Sequence, residues 1–305
     1  MTWTPIDSWI VLTGALVALA CAIPGTWLVL MRNSLFGDAI SHAVLPGLAI
    51  AFIATGSREP WAMLAGAIAA GAVTSVLSYW IERHGRLETG AALGVVFCSL
   101  FALGLILIRV AADRVDLDPD CVLYGTLETA VLQSGSEIPR VTWQAGLMLL
   151  VNGALTLLFW KELRLAAFDP ALAEALGLRP QWFRQGVGIA TAVTAVAAFE
   201  AVGSILVIAM LVVPAVAAGL WFRTLGRVML GAMLLAMLSA PLGHLAAVWV
   251  VPPVASRLLQ QPFDAVNTAA MMTVAAGALF LLCHLAARLR RRQPRGAKAT
   301  NPRNV

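Results

Sequence analysis

The sequence predicts an all-α integral membrane protein of about nine transmembrane helices, and three observations lead there. Of its 305 residues, 60% are hydrophobic and only 12% charged, against about 45–50% and about 25% in soluble domains. The apolar residues come in runs of about 20, the length a helix needs to cross about 30 Å of hydrocarbon. No polar stretch between these runs is long enough to fold as a domain of its own.

The first run, 9–31, has no Lys or Arg ahead of it and outlasts a signal-peptide core, so it reads as a mature span. The second, 36–55, carries Asp38 and His42 among apolar residues. Runs 61–80, 90–109 and 142–160 follow. Residues 187–222 hold no charge except Glu200 and are too long for one span. Gly203 and Ser204 permit a turn there, which divides the run into 186–200 and 203–222. Spans 228–250 and 267–287 complete the nine. Trp9, Trp27, Trp61, Trp80, Trp160, Trp221 and Trp249 stand at or near the ends of these runs, the headgroup zone that amphipathic rings favour. The transmembrane domain is thus 1–287, and 288–305 is a basic cytoplasmic tail.

Basic residues set the orientation. With the carboxyl terminus inside, the inner segments hold 16 of the 21 Lys and Arg residues. Only Arg58, Arg109, Arg114, Arg140 and Arg257 fall outside, so the positive-inside rule places the amino terminus outside. Loop 109–140 is then outside and loop 160–185 inside. The net charge of +5 comes largely from the tail, which follows an apolar helix directly. Such a segment anchors to anionic lipid, and nucleic acid is not an expected partner. The four cysteines lack C-x-x-C spacing, so neither a disulfide framework nor a zinc knuckle is indicated.

The inner loop contains FDPALAEALGL, residues 168–178. Asp169 suits a helix N-cap, Pro170 its first position and Gly177 the residue just past its end. Phe168, Leu172 and Leu176 recur every four residues and give one apolar face, with Glu174 between them. Such a helix either lies on the membrane surface or fits a groove on a soluble partner.

Ionisable groups inside a membrane span raise the question of function. Asp38 and His42 are one turn apart on one helix face, and a carboxylate with a neutral imidazole suits Mn²⁺, Fe²⁺ or Zn²⁺. Ser41 can orient a ligand, and Pro46 frees the His42 carbonyl. Alternatively, Asp38 caps its helix and His42 bonds to a neighbouring helix. Counting places Asp38 near the inner end of its span, so the pair is central only if residues 32–37 dip into the bundle. Glu200 is the second candidate, either facing the pathway or snorkelling at the outer turn. His244 is a weaker candidate, behind Pro241 and Gly243. In the outer loop Asp113, Asp116, Asp118 and Asp120 either meet a delivery protein by charge complementarity or form a solvated acidic loop.

Five segments in order carry a family resemblance: SLFGDAISHAVLPGLAIAF (34–52), GAALGVVFCSLFALGLILI (90–108), DLDPDCVLYG (116–125), FDPALAEALGL (168–178) and AVGSILVIAMLVVPAVAAGL (201–220). Together they resemble the membrane permeases of bacterial ATP-binding cassette importers for manganese, zinc and iron, the ABC-3 family. The resemblance implies a fold similar to vitamin B12 and siderophore permeases without their first helix, in the bacterial inner membrane. It implies a second permease subunit, identical or similar, to complete the pore. A cytoplasmic ATPase dimer would dock on the 168–178 coupling helix, and an extracytoplasmic metal-binding protein would meet the outer loop. Asp38, His42 and Glu200 become the expected metal pathway, with Ser41 and His244 weaker.

The resemblance implies no permanently bound cofactor. The few histidines favour manganese over zinc, and DLDPDCVLYG is similar to the segment of manganese and iron permeases, so manganese is the first expectation with zinc or iron the others. Two other functions remain in view. A gradient-driven secondary transporter would explain the buried acids but leaves the capped inner helix without a purpose. An intramembrane enzyme lacks support from H-E-x-x-H or G-x-S-x-G, and no P-loop motif for ATP is present.

Overall fold

The structure is a computed structural model that describes residues 3–56, 60–111, 127–132, 138–259 and 266–292. Among these, every regular element is a helix. Eight helical stretches are long and apolar enough to cross a membrane, Pro5–Leu30, Phe36–Thr55, Trp61–Gly85, Thr89–Arg109, Arg140–Leu158, Ala201–Trp221, Leu225–Arg257 and Thr268–Arg290.

Helix α1 (Pro5–Leu30) is the hub. Thr4 and Asp7 close a capping box at its start, with the Asp7 carboxylate accepting from the Thr4 N–H at 2.7 Å. From Thr13 to Leu28 most of its residues are buried, Trp27 to 1% exposure. It packs on α7 (Arg140–Leu158), α10 (Pro180–Trp221) and α11 (Leu225–Leu245). Polar groups inside the bundle find partners there, as hydrocarbon requires. The Thr13 and Thr142 hydroxyls lie 2.6 Å apart, and Asn152 Nδ2 donates to the Ala20 carbonyl at 3.0 Å and to Thr194 at 2.8 Å.

The second span is two helices, α2 (Phe36–Ala43) and α3 (Leu45–Thr55), nearly in line. Val44 N–H bonds to Ile40 and Leu48 N–H to Val44, so the rod continues through the joint. Pro46 has no amide hydrogen to give the His42 carbonyl, which accounts for the interruption. Helix α4 (Pro60–Gly85) crosses α3 where Gly47 meets Gly66. A Cβ on either would overlap the other's carbonyl oxygen, so only glycine permits this approach. Helix α5 (Thr89–Ala111) packs against α2, α3 and α4. A short α6 (Leu127–Leu132) touches α1.

The 160–178 connection is more helical than the sequence suggests: α8 (Trp160–Phe168) precedes α9 (Pro170–Ala175). Residue periodicity in 160–168 is masked by Lys161, Glu162 and Arg164, while Leu163 and Ala166 are buried beneath them. Helix α10 is 42 residues long but interrupted at Gly203, with φ 74° and ψ 166°. That backbone region is open essentially to glycine alone. A straight helix would separate Gly188 from Leu211 by roughly 35 Å. Instead, Gly188 lies against the Phe36 ring and Leu211 against Gly37, successive residues of α2. The chain therefore folds back at Gly203, the position at which the sequence divided the run.

After α11 comes a π-helical turn, Ala246–Val250, followed by α12 (Val251–Leu259), whose Pro252 and Pro253 donate no amide bond. The last helix is α13 (Thr268–Arg292), packed on α10 and α11.

Candidate functional site

The start of α2 is drawn inward. Arg32 adopts φ 57°, and Asn33 N–H reaches back to the Leu28 carbonyl at 2.8 Å, turning the chain at the foot of α1. The Phe36 ring then lies near Gly188 and Ser75 Oγ. Gly188 is eight residues into α10 and Ser75 ten residues before the end of α4. At 1.5 Å per residue these are about 12 and about 15 Å from the helix ends. Phe36 and Gly37 at the start of α2 are thus buried against α4 and α10, while Asp38 lies on the exposed face of the helix.

Asp38 and His42 share the face of α2 that the helical spacing indicates. Asp38 Oδ1 and His42 Nε2 are 3.9 Å apart, with side-chain exposures of 52% and 36%. Two metal–ligand bonds of about 2.0–2.2 Å span up to roughly 4.4 Å, so one ion can bridge these atoms. The imidazole is held between Phe97 and Phe101 of α5, with ring centroids at 5.9 and 5.4 Å. Among the described residues no group of three or more His, Cys, Asp or Glu side chains forms a metal cage. Any ion here completes its shell with water, main-chain oxygen or a second subunit. Glu200 is three residues before the Gly203 fold-back and Ser41 lies on α2; their side chains, like Asp113, Asp116, Asp118 and Asp120, are outside the described residues.

His244 has a different setting. It is 2% exposed, its Nε2 lies 3.2 Å from Asp7 Oδ1, and its Nδ1 lies 3.4 Å from the Thr268 hydroxyl. The Trp3 ring meets it edge-on at 5.6 Å. Glu128 of α6 accepts from the Thr268 N–H at 2.8 Å. Both ring nitrogens are engaged in tying α1, α11 and α13 together, so the imidazole has no nitrogen left for an ion in this arrangement. Sequence reasoning did not find Asp7 as its partner. The T-P-I-D capping pattern was visible, but not the fold that brings α11 to it. The Glu82–Arg184 ion pair at 3.5 Å, which joins α4 to α10, was missed for the same reason.

The 168–178 segment stands out from the bundle. Asp169 Oδ1 accepts from the Leu172 N–H at 3.0 Å, Pro170 opens α9, and Gly177 takes φ 80° just past its end. Ala173 is buried, whereas Phe168, Leu172 and Leu176 are 59%, 46% and 63% exposed. A rigid, doubly capped knob with a bare apolar face is fitted to enter a groove.

A family model described as the ABC 3 transport family matches residues 6–259. This chain belongs to the ABC 3 transport family. A manganese transport system membrane protein of Bacillus subtilis is 38% identical over 252 residues, covering 80% of this chain and 84% of that protein. A chelated iron transport system membrane protein of Yersinia pestis is 34% identical, covering 77% and 74%. A zinc transport system membrane protein of Treponema pallidum is 35% identical, covering 71% of each chain. Among solved structures, PsaBC from Streptococcus pneumoniae, in complex with Fab, superposes with TM-score 0.70 at 26% identity over 95% of this chain and 94% of that one. A metal-chelate type ABC transporter in an inward-facing conformation, at 17% identity and TM-score 0.61, shares the fold. The ABC 3 chain is accordingly a multi-pass membrane protein with an ABC permease fold.

Proposed function

We propose that this ABC 3 chain is the permease subunit of an ATP-driven importer of divalent metal ions in a bacterial inner membrane, with manganese the first candidate and zinc or iron the others. The observation that carries this reading is the Asp38–His42 pair, 3.9 Å apart on the open face of α2, a helix whose other face is buried in the bundle. A carboxylate and an imidazole there offer a passing ion replacement ligands for lost water. Glu200, Ser41 and, more weakly, His244 belong to the same proposal, though the bonds His244 makes to Asp7 and Thr268 favour a structural part for it.

The fold-back at Gly203 supports nine spans, because α10 then supplies two antiparallel crossings, Pro180–Val202 and the stretch ending at Trp221. The basic residues at the inner ends favour an outside amino terminus and an inside carboxyl terminus. The capped 168–178 segment then faces a cytoplasmic ATPase dimer through Phe168, Leu172 and Leu176, with Asp169, Pro170, Glu174 and Gly177 shaping it. A second permease subunit completes the pore. Asp113, Asp116, Asp118 and Asp120 face an extracytoplasmic metal-binding protein.

The test is uptake of radioactive manganese into vesicles holding the chain, its ATPase and the binding protein. We expect ATP-dependent uptake that Asp38→Asn and His42→Ala each abolish while the complex still assembles. Uptake driven by a proton gradient without ATP would sink the proposal in favour of a secondary transporter.

A further inference from the structure

The end of α4 grips the start of α10 through two neighbouring pairs. Arg83 Nη1 donates to Gln181 Oε1 at 2.9 Å and to the Tyr79 hydroxyl at 3.0 Å. Arg184 Nη2 lies 3.5 Å from Glu82 Oε1, which also accepts from the Thr89 hydroxyl at 3.0 Å. Gln181 and Arg184 are three residues apart, so both stand on one face of α10. Glu82 and Arg83 are adjacent on α4. The four side chains form one clamp, with Thr89 at the start of α5 attached to it.

The clamp stands directly behind the 168–178 segment. Only residues 176–179 part α9 from α10. Leu178 N–H returns to the Ala173 carbonyl at 2.9 Å and Pro180 fixes the next φ, so this joint is stiff. A displacement of the segment therefore reaches the clamp within the first five residues of α10. On the other side of the clamp lies a polar cavity of about 30 Å³, room for one or two waters. Asn33 and Phe36 at the foot of α2, Ser78 of α4 and Gly188 of α10 line it together with Glu82 and Arg184. The Ser78 hydroxyl is buried without a protein partner among the described residues. A polar seam of this kind parts and closes at small cost, because water takes over its hydrogen bonds and screens its partly exposed ion pair.

We infer that the Arg83–Gln181 and Glu82–Arg184 pairs are a coupling clamp, which passes displacement of the 168–178 segment from α10 into α4 and onto the foot of α2. Phe36, on the cavity wall, is two residues ahead of Asp38, so the clamp sets where the metal-bearing turn of α2 sits. Its members are positioning residues that touch neither ion nor nucleotide. The inference rests on the importer reading proposed above.

Vesicles holding the chain, its ATPase and the binding protein are assayed for ATP hydrolysis and radioactive manganese uptake side by side. In Glu82→Gln and Arg184→Gln hydrolysis is expected to continue, while manganese imported per ATP falls by about ten-fold, an ordinary size for coupling between linked sites. Arg184→Lys keeps the charge and should hold most of the wild-type ratio. Gln181→Ala removes the second pair from a half-buried position and should lower the ratio in the same direction. It reads the clamp even if the ion-pair variants do not fold. A merely structural contact would lower hydrolysis, uptake and yield of complex in parallel, and that outcome overturns the assignment. An unchanged ratio in folded Glu82→Gln, Arg184→Gln and Gln181→Ala overturns it too. Wild-type vesicles that import no manganese, zinc or iron with ATP would instead sink the importer reading, and the clamp with it.

Discussion

At the scale of single residues, Asp38 and Asp169 show the two uses of a carboxylate at a helix start. Asp169 accepts a main-chain bond from Leu172 and makes α9 rigid. Replacing it by Ala removes a cap worth about 1 kcal/mol. ATPase stimulation by the loaded binding protein is expected to fall in Asp169→Ala while the chain's melting temperature barely moves, because α9 lies outside the bundle. Asp38, in the first turn of α2, has its carboxylate 3.9 Å from the His42 imidazole. His244→Leu should do the opposite of Asp38→Asn. It removes the His244 partner of the partly exposed Asp7 Oδ1 and of the Thr268 hydroxyl, at a cost of about 1 kcal/mol, so thermal unfolding of the purified chain should shift downward. The manganese concentration giving half-maximal uptake should stay where it was.

At the scale of elements, the apolar runs were legible because hydrocarbon imposes one length and one composition on every span. Gly203 was legible as well, since a run of that size with Glu200 as its one charge needs a turn and glycine supplies the backbone freedom. Gly203→Ala forces a side chain into a strained region at about 1–3 kcal/mol, and a lower yield of folded protein by size-exclusion chromatography checks this. The joint between α2 and α3, the helical form of 160–168 and the π turn after His244 were not legible. Each depends on what packs beside it, and Lys161, Glu162 and Arg164 hide the buried Leu163 and Ala166 from any periodicity count. The Gly47–Gly66 contact is equally silent in sequence, where two glycines 19 residues apart announce nothing. Gly66→Val should separate α3 from α4, which a spin-label distance between the two helices would register as a lengthening.

At the scale of the whole molecule, the depth of Asp38 could not be read from its place in the sequence. Counting residues puts it at the end of a span. The Phe36 contacts with α4 and α10 fix which face of α2 is buried and leave Asp38 and His42 on the other. The pair was therefore half legible, its shared helix face in the spacing and its surroundings in the packing. Orientation belongs to this scale too. A cysteine placed at Lys298 should react with a membrane-impermeant maleimide only after the cells are opened, and one at Trp3 before. The reverse pattern would invert the chain and remove the 168–178 knob from the compartment that holds ATP.

The fold-back at Gly203 also constrains how the protein is made. On the nine-span reading proposed above, two crossings joined by essentially one residue have no tether that would let the first settle in lipid while the second is still being synthesised. They must leave the translocation machinery together, as a single apolar hairpin, with Glu200 carried near its tip. Ribosome-bound intermediates ending soon after Val202 should therefore remain loosely held and extractable by alkali. Those extending beyond Trp221 should resist it.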